Sequence, residues 1–346
     1  MEQKRKKRTG VLLIQLGTPD SPTKSDVKTY LNEFLNDPRV IDYPYLKRKL
    51  LVNGIIIPFR VKESAKIYKE LWDLSGGVSP LLKYTESKTK LLQERFDKTE
   101  EDVTVHMAMR YRKPSMESVL EEMRKENYDK IIIFPLFPHH ASATTGTAIE
   151  KAVKIISKWW VMPEISTVND FYDHEAYIDA MVERTKEFDI SSYDRIMFSY
   201  HGLPDQHVDK VYDDGLCTDQ PCETEINQKN KLCYKAQVYA TTRALADKLG
   251  LKESDYTVAF QSRLDKNWLE PFSDKVIEKW AKEGAKRVLA FSPAFVADCL
   301  ETLVEIGVEY DEDFRALGGE KVQLVPSTND HPRFIDCLED LVRERL

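Results

Sequence analysis

The chain has 346 residues, of which 42% are hydrophobic and 32% are charged, and this balance excludes a largely disordered protein. The net charge of −7 at pH 7 argues against a nucleic-acid partner, because no domain-wide basic face is available. Five cysteines are too few for a disulfide framework, and no apolar run reaches the length of a membrane-spanning helix. The basic run at 4–8 is interpreted as a solubilising terminus of a cytoplasmic chain.

Four apolar segments predict buried parallel strands, each followed by a turn rich in Gly, Pro or His. They begin at Val11, Lys130, Arg195 and Arg287. Two weaker strands are predicted at 103–111 and 256–263, and helical patterns such as 115–127 and 270–286 lie between the strands. This alternation predicts an α/β fold with parallel sheets.

The strand pattern is repeated along the chain. The sequence "LGTPD" after the first strand is similar to "HGLPD" after the third, and the segments around the second and fourth strands also match. Two doubly wound halves therefore fit the length better than one sheet, with a boundary between 163 and 173. Because ligands of such sheets bind beyond the carboxyl ends of the strands, the informative residues should follow each strand directly.

A ladder of carboxylates follows the fourth strand. Glu301, Glu305 and Glu309 recur every fourth residue and share one helix face. Such a face is usually solvated, but like charges at this spacing repel, and no Lys or Arg lies between Glu301 and Tyr310 to relieve them. With His201 after the third strand, these carboxylates form a path that a divalent cation or a proton would follow.

Aromatic and basic residues favour a flat apolar ligand with acidic edges. Aromatic faces would stack on such a ligand and Arg side chains would bind its carboxylates. The alternative is core packing with surface charge, and both interpretations are open for each residue. No GxxxxGK[ST], GxGxxG, HExxH or GxSxG motif is present. The residues concerned are Arg60, Trp72, Arg110, Tyr111 and Trp268.

Seven motifs in order resemble the ferrochelatases, enzymes that insert ferrous iron into a porphyrin to form haem. The resemblance covers roughly residues 9–345. The motifs are "LGTPDSP" (16–22), "SGGVSPL" (75–81), "MRYRKP" (109–114), "PLFPHHASATTG" (135–146), "SYHGLP" (199–204), "FQSRLDKNWLEP" (260–271) and "FVADCLETLVEI" (295–306).

The resemblance implies two Rossmann-like domains, each with a parallel four-stranded sheet, that enclose a porphyrin cleft. The first would span 9–165, the second 166–327, and a C-terminal helix at about 328–346 would return to the first. The resemblance also implies that the carboxylate helix is widened to a π-helix.

The resemblance further assigns roles to single residues. His201 and Glu301 would be catalytic, and the metal would be contacted by His201, Glu301, Glu305, Glu309 and His139. The porphyrin would be bound by Leu16, Arg60, Trp72, Arg110, Tyr111, Trp268 and Phe295.

The implied reaction is insertion of Fe²⁺ into protoporphyrin IX with release of two protons, the last step of haem biosynthesis. Fe²⁺ is then a substrate, and catalysis requires no cofactor. Two alternatives stay open. One is a coproporphyrin or cobalt chelatase, since the site alone does not select iron. The other is a non-catalytic, two-lobed protein that binds metal or haem.

Three cysteines lie in a segment, 211–239, that is longer than the usual family loop. Some family members hold a [2Fe–2S] cluster with four cysteines, and clustered cysteines in a cytosolic chain suggest metal more than disulfide. A fourth cysteine is missing locally, so a cluster and unligated thiols are both open. The three are Cys217, Cys222 and Cys233.

A basic and apolar segment at 45–60 fits either a lip that touches anionic lipid or a buried helix of the first domain. The first interpretation would place the chain peripherally at the inner face of a membrane. The sequence leaves a monomer and a homodimer equally open.

Overall fold

The structure, a computed structural model, describes residues 6–346, so Lys4 and Arg5 of the basic run lie outside the described residues. It divides into two units. The first comprises residues 6–137, Ala141–Asn169 and Ile335–Leu346, and the second comprises Pro138–His140 and Asp170–Phe334. None of the helices in the described part of the chain is both long enough and apolar enough to cross a membrane.

The first unit is built on a parallel sheet in the order β2-β1-β3-β4. Its central strands β1 and β3 are buried over almost their whole length, as expected for a parallel sheet covered by helices. In the register, Leu12 of β1 faces His106 of β2 and Ile133 of β3. The strands are β1 (Arg8–Gly17), β2 (Asp102–Tyr111), β3 (Lys130–Pro135) and β4 (Glu164–Thr167).

In the described part of the chain before residue 170, six α-helices and two short π-helical segments accompany this sheet. Side chains of Thr23, Ser79 and Ser115 accept backbone N–H groups at the starts of α1, α4 and α5, which satisfies donors that a helix leaves unpaired. The helices are α1 (Lys24–Leu35), α2 (Tyr45–Leu51), α3 (Ile57–Leu74), α4 (Pro80–Phe96), α5 (Met116–Glu126) and α6 (Thr147–Ile156), and the π-helical segments are Val52–Ile56 and Ser142–Gly146.

The second unit repeats this topology in the order β6-β5-β7-β8, again with parallel strands. Its core packs α10 against the sheet through Ile277 and Trp280. The strands are β5 (Arg195–His201), β6 (Tyr256–Gln261), β7 (Arg287–Phe291) and β8 (Lys321–Leu324). The helices are α7 (Glu175–Glu183), α8 (Asp205–Asp209), α9 (Tyr234–Leu249), α10 (Ser273–Lys282) and α11 (Asp311–Ala316), with a π-helix at Leu300–Tyr310 and 3₁₀ turns at Ile190–Ser192, Cys217–Asp219 and Glu253–Asp255.

The last helix, α12 (Pro332–Arg343), belongs to the first unit from Ile335 onward. There Asp336 forms an ion pair with Arg95 at 3.0 Å, and the ammonium of Lys130 donates to the carbonyl of Arg345 at 2.7 Å. These contacts tie the chain end to the sheet of the first unit.

The predicted fold class, two similar α/β units with parallel four-stranded sheets, is confirmed. All six strands predicted from apolar pattern are present. The edge strands β4 and β8 have four residues each, and only the family resemblance implied them.

Candidate active site

His201 is the last residue of β5, at the carboxyl edge of the second sheet. Its Nδ1 lies 2.7 Å from the carbonyl oxygen of Gly202. Because a carbonyl only accepts hydrogen bonds, Nδ1 carries the proton and Nε2 is left as the basic nitrogen. The hydroxyl of Tyr234 donates to the backbone carbonyl of His201 at 2.9 Å, which fixes the strand end that carries the ring.

Gly202 allows a close approach of backbone and ring directly after His201. A Cβ atom at this position would lie 2.9 Å from the carbonyl oxygen of Gln261 and 3.2 Å from the Trp268 ring. The ring of His201 lies between two aromatic neighbours, with centroids 6.5 Å from Trp268 and 6.4 Å from Phe295. The imidazole therefore sits on a short turn walled by aromatic surface.

The carboxylate ladder lies on the π-helix at Leu300–Tyr310, which confirms the predicted widening. Glu301 and Glu305 are half-buried and Glu309 is exposed, so the row runs from the protein interior toward solvent. A π-helix bonds residues five apart instead of four, and such widened turns occur frequently at functional sites.

Gln261 connects this helix to the strand beside His201. It is the last residue of β6 and faces His201 in the register of β5 and β6. Its side-chain amide donates to the backbone carbonyl of Glu301 at 2.8 Å and to the carboxylate of Glu305 at 3.1 Å. His201 and the start of the carboxylate helix are thus held at one edge of the second sheet.

Glu305 accepts four hydrogen bonds in all. Besides the bond from Gln261, the backbone N–H of Ser262 donates at 2.9 Å, its hydroxyl at 2.5 Å and the hydroxyl of Tyr310 at 3.0 Å. Ser262 has a left-handed backbone, with φ of 63°, which directs its N–H toward the carboxylate. Burial, and then the charge of Glu305, raise the pKa of Tyr310, so its hydroxyl stays a donor. Glu305 is consequently held in place more firmly than an exposed carboxylate.

A family model for ferrochelatase matches residues 8–346 of the chain.

The chain belongs to the ferrochelatase family.

Curated relatives support the same assignment. The chain is 41% identical over 340 residues to a ferrochelatase of Legionella pneumophila (strain Corby), covering 98% of this chain and 100% of the relative. It is 39% identical over 350 residues to a ferrochelatase of Coxiella burnetii (strain Dugway 5J108-111), covering 99% of this chain and 95% of the relative. The family and the enzyme class predicted from the seven motifs, a metal chelatase among the lyases, are therefore confirmed.

A solved structure, SirB from Bacillus subtilis with Fe³⁺, shares the fold. It aligns with a TM-score of 0.56 at 12% identity and covers 97% of this chain and 95% of SirB. At this identity the similarity supports the fold alone.

Two of the predicted porphyrin-binding residues in the first unit are tied to a buried carboxylate. Arg110 forms an ion pair with Asp37, and the hydroxyl of Tyr111 donates to the same carboxylate at 2.9 Å. Arg110 also donates to Thr147 at 2.8 Å and stacks on the Tyr111 ring. Burial and the charge of Asp37 raise the pKa of Tyr111, which keeps its hydroxyl protonated. The sequence does not reveal Asp37 as a site residue, because the residues next to it in the chain do not predict that it is buried.

The other three residues predicted for the first unit differ in exposure. Leu16 is half-buried at the end of β1, and Arg60 is exposed on α3. Trp72 is buried near the end of α3, where its ring meets Tyr68 edge-on at 6.0 Å. Leu16 and Arg60 therefore have surface to offer a ligand, whereas most of Trp72 is packed in the protein. Their roles remain predictions.

His139, a predicted metal-contacting residue, is buried in the second unit. Its Nε2 lies 2.9 Å from the hydroxyl of Thr241, which itself donates to the carbonyl of Tyr172 at 2.6 Å. Nε2 is therefore the protonated nitrogen, and Nδ1 has no hydrogen-bond partner among the residues that the structure describes. Burial lowers the pKa of His139 to about 3, so the ring is neutral at physiological pH. Its metal-binding role remains a prediction.

Three cysteines form a compact group in the second unit. Cys217, Cys222 and Cys233 are buried, and their sulfur atoms are 3.6–3.9 Å apart. Among the described residues this is the one set of three or more His, Cys, Asp or Glu side chains close enough to share an ion. A cysteine cluster is thus present.

The segment at 45–60 forms α2, a π-helical turn and the start of α3. Leu46, Leu50 and Phe59 are 73%, 74% and 80% exposed, so the segment is not a buried helix. Arg48 is an exception, because it is buried and donates to the carbonyl of Tyr43 at 2.6 Å. Arg48 therefore belongs to the support of the segment and not to its outer surface.

The supports of the site were not predicted from sequence. Gln261 and Ser262 lie within the "FQSRLDKNWLEP" motif, but the motif does not show that they bind Glu305. The next residue, Arg263, forms an ion pair with Asp274 and lies over the Phe272 ring at 4.1 Å. A sequence motif shows which residues are present, but it does not show which carboxylate those residues bind.

Proposed function

We propose that the chain inserts Fe²⁺ into protoporphyrin IX to form haem, with His201 and Glu301 as catalytic residues. The observation that carries the proposal is the hydrogen-bonding state of His201. With Nδ1 donating to the carbonyl of Gly202, Nε2 is available as a base beside aromatic surface. Storage of metal or haem would not require such a base, so the state of His201 agrees with the enzyme class that the family shows.

The reaction replaces two pyrrole N–H protons by one metal ion. In the proposed step, Nε2 of His201 accepts a pyrrole proton, and the electron pair of the broken N–H bond stays on the nitrogen that binds iron. An imidazole is suited to this exchange near neutral pH. Glu301 receives the proton next and restores His201 for the second pyrrole.

The carboxylate row is proposed to continue this path to solvent. Glu309, at its exposed end, would release protons or receive hydrated Fe²⁺, and Glu305 would hold the row in line through its four hydrogen bonds. The two directions of traffic are distinguishable with Glu309→Gln. The KM for Fe²⁺ rises if iron enters there, whereas the pH profile of kcat shifts if protons leave there.

Porphyrin contacts are proposed for the aromatic neighbours of His201, namely Trp268 and Phe295. A bent macrocycle exposes its nitrogen lone pairs, so side chains that favour bending would stabilise the transition state over the flat substrate. The same role is retained for Leu16, Arg60 and Trp72, and for Arg110 and Tyr111. Arg110 and Tyr111 already bind the carboxylate of Asp37, so they would shape the site more than they would bind the carboxylates of the substrate. His139 is retained as a metal-contacting residue through Nδ1.

The [2Fe–2S] cluster predicted at the cysteines is not included in this proposal. Such a cluster takes four protein ligands, two for each iron. Cys299 and Cys337 do not belong to the group formed by Cys217, Cys222 and Cys233, and no His, Asp or Glu in the described part of the chain completes it. No step of the proposed reaction requires it.

Peripheral contact of a cytoplasmic chain with the inner face of a membrane is proposed through residues 45–60. Exposed Leu46, Leu50 and Phe59 would enter the boundary of headgroups and acyl chains. Lys47 and Arg60 are exposed on the same segment and would approach anionic lipid. The contact would bring a poorly soluble porphyrin to the enzyme.

The proposed reaction is tested by following the Soret band of porphyrin with the purified protein under anaerobic conditions. We expect the highest kcat/KM with Fe²⁺ and protoporphyrin IX. A higher value with coproporphyrin, or with Co²⁺, would favour the corresponding chelatase instead. Tight porphyrin binding without turnover of any metal and porphyrin pair would favour the non-catalytic binding protein.

A further inference from the structure

The three cysteines of the second unit are arranged around a single point. Cys217 lies in a 3₁₀ turn, Cys222 follows it by five residues, and Cys233 immediately precedes α9. The sulfur separations are 3.9 Å between Cys217 and Cys222, 3.6 Å between Cys217 and Cys233, and 3.8 Å between Cys222 and Cys233. The sulfurs thus form a nearly equilateral triangle.

This triangle matches the ligand spacing of one tetrahedral ion. With metal–sulfur bonds of about 2.3 Å, tetrahedral angles place the ligand sulfurs about 3.8 Å apart. A [2Fe–2S] cluster gives two thiolates to each of two separate irons, so a third cysteine could not be equally close to the other two. The sulfur separations in the structure therefore disagree with the cluster and agree with a mononuclear site.

Neighbouring groups support thiolate charge at this point. The hydroxyl of Tyr212 lies 3.2 Å from the sulfur of Cys222. Asn230 is fully buried, and its side-chain amide donates to the same sulfur at 3.9 Å and to the carbonyl of Glu225 at 2.9 Å. Outer hydrogen bonds of this kind orient metal ligands and stabilise their charge.

The loop that carries the cysteines is held in shape by its own contacts. The backbone N–H of Cys217 donates to the carboxylate of Asp209 at 2.8 Å. The backbone N–H of Cys233 donates to the carbonyl of Asn230, also at 2.8 Å. The three thiols are consequently brought together by backbone positions spread over 17 residues, 217–233, and not by one flexible tip.

We propose that Cys217, Cys222 and Cys233 bind one thiophilic divalent ion of the Zn²⁺ type, with a solvent molecule as fourth ligand. Zn²⁺ has no redox chemistry and suits thiolate ligands in tetrahedral geometry. Solvent takes the fourth position because no other His, Cys, Asp or Glu of the described chain reaches the group. The ion is structural and distinct from the iron that is the substrate.

The site is connected to His201 through α9. Cys233 immediately precedes this helix, and the next residue, Tyr234, donates its hydroxyl to the backbone carbonyl of His201. Fixing Cys233 on an ion fixes the beginning of α9 and with it this hydrogen bond.

The test measures metal directly and needs no porphyrin. The wild-type protein, produced with Zn²⁺ and iron in the medium, is analysed for metals and acid-labile sulfide. We expect one Zn²⁺ per chain and no sulfide. After removal of the metal, Co²⁺ should restore one ion per chain with the intense sulfur-to-cobalt charge transfer and visible bands of a tetrahedral thiolate site.

Variants locate the ion. Cys217→Ser and Cys222→Ser should lose the bound Zn²⁺ and the Co²⁺ spectrum, whereas Cys337→Ala, which removes a buried thiol outside the group, should keep both. Hydrogen exchange on wild-type protein with and without Zn²⁺ avoids variants that fail to fold. Protection of backbone amides from hydrogen exchange should decrease in residues 211–240 when the ion is removed.

Three results would overturn the proposal. They are two irons with two sulfides per chain after anaerobic preparation, three thiols that stay metal-free and reactive in excess Zn²⁺, and a disulfide within the group. None of them depends on chelatase activity, so failure of this inference and failure of the proposed function are separable.

Discussion

The carboxylates of the π-helix differ in what holds them. Glu301 contributes its backbone carbonyl to Gln261, whereas Glu305 is bound through its carboxylate by four donors. The Glu301 side chain also interacts with the buried thiol of Cys299, whose pKa is raised by burial and then by the charge of Glu301. In the proposed mechanism Glu301 carries the proton, whereas four hydrogen bonds hold Glu305 in place. Substitution should separate these two roles.

We expect Glu301→Gln to reduce kcat strongly without changing stability, because the amide cannot carry a proton. Glu305→Gln should reduce kcat less but lower the free energy of unfolding by about 1–3 kcal/mol, because hydrogen bonds to a charged group are replaced by weaker or clashing ones. Steady-state kinetics and chemical denaturation measure the two effects.

A greater loss of kcat in Glu305→Gln than in Glu301→Gln, at equal stability, would contradict this division of roles. Glu312→Gln is the matched control, since it changes an exposed carboxylate on the following helix, α11. It should leave both kcat and the free energy of unfolding unchanged.

Sequence could indicate the carboxylates but not their environment. The spacing of Glu301, Glu305 and Glu309 and the absence of nearby Lys or Arg are visible in the chain itself. The donors to Glu305 include Gln261 and Ser262, more than 40 residues away, and the left-handed backbone of Ser262 has no signature in a non-glycine residue. Such contacts depend on the register of β5 and β6, which local pattern does not specify.

At the scale of elements, the end of β1 depends on a glycine. Gly17 has φ of 114°, and a Cβ atom there would lie 2.0 Å from the carbonyl oxygen of Tyr111 on the paired strand. No side chain fits this position without moving the strand. The "LGTPD" motif therefore marks a close approach of β1 and β2 at the edge where sites are built.

We predict that Gly17→Ala lowers the free energy of unfolding by on the order of 3 kcal/mol, through backbone strain and steric conflict. Gly54→Ala is the matched control, because a Cβ atom at Gly54 meets no atom of residues 6–346 within 4 Å. It should be neutral or slightly stabilising. Denaturant titration compares the two, and equal stability of both variants would contradict the account of this strand end.

The central strands were predictable because burial on both faces demands continuous apolar residues, as in Ile131, Ile132 and Ile133 of β3. The apolar pattern did not predict the edge strands β4 and β8, because they are short and only partly buried and their composition resembles that of loops. Their existence was implied by the family and not by the residues themselves.

At the scale of the whole molecule, the two sheets have the same strand order within their own units, which is the basis of the repeated sequence pattern. The units differ in what they add to it. The first presents the exposed apolar segment at 45–60, and the second carries His201, the carboxylate helix and the cysteine group.

We predict that the protein co-sediments with vesicles containing anionic lipid at low salt and that Leu50→Ser with Phe59→Ser abolishes this binding. Trp160→Ser is the matched control, since Trp160 is fully exposed outside the segment. It should retain binding. Equal loss in the control, or no binding by the wild type, would remove the proposed membrane contact.

The most direct test of the central claim is single-turnover insertion of Fe²⁺ into bound protoporphyrin IX by His201→Ala. The account predicts unchanged porphyrin affinity and a rate at least about 100-fold below wild type, because the accepting nitrogen is lost. His106→Ala, which removes an imidazole from β2, should insert iron at the wild-type rate. Retention of most of the wild-type rate by His201→Ala would contradict the assignment of His201 as the base.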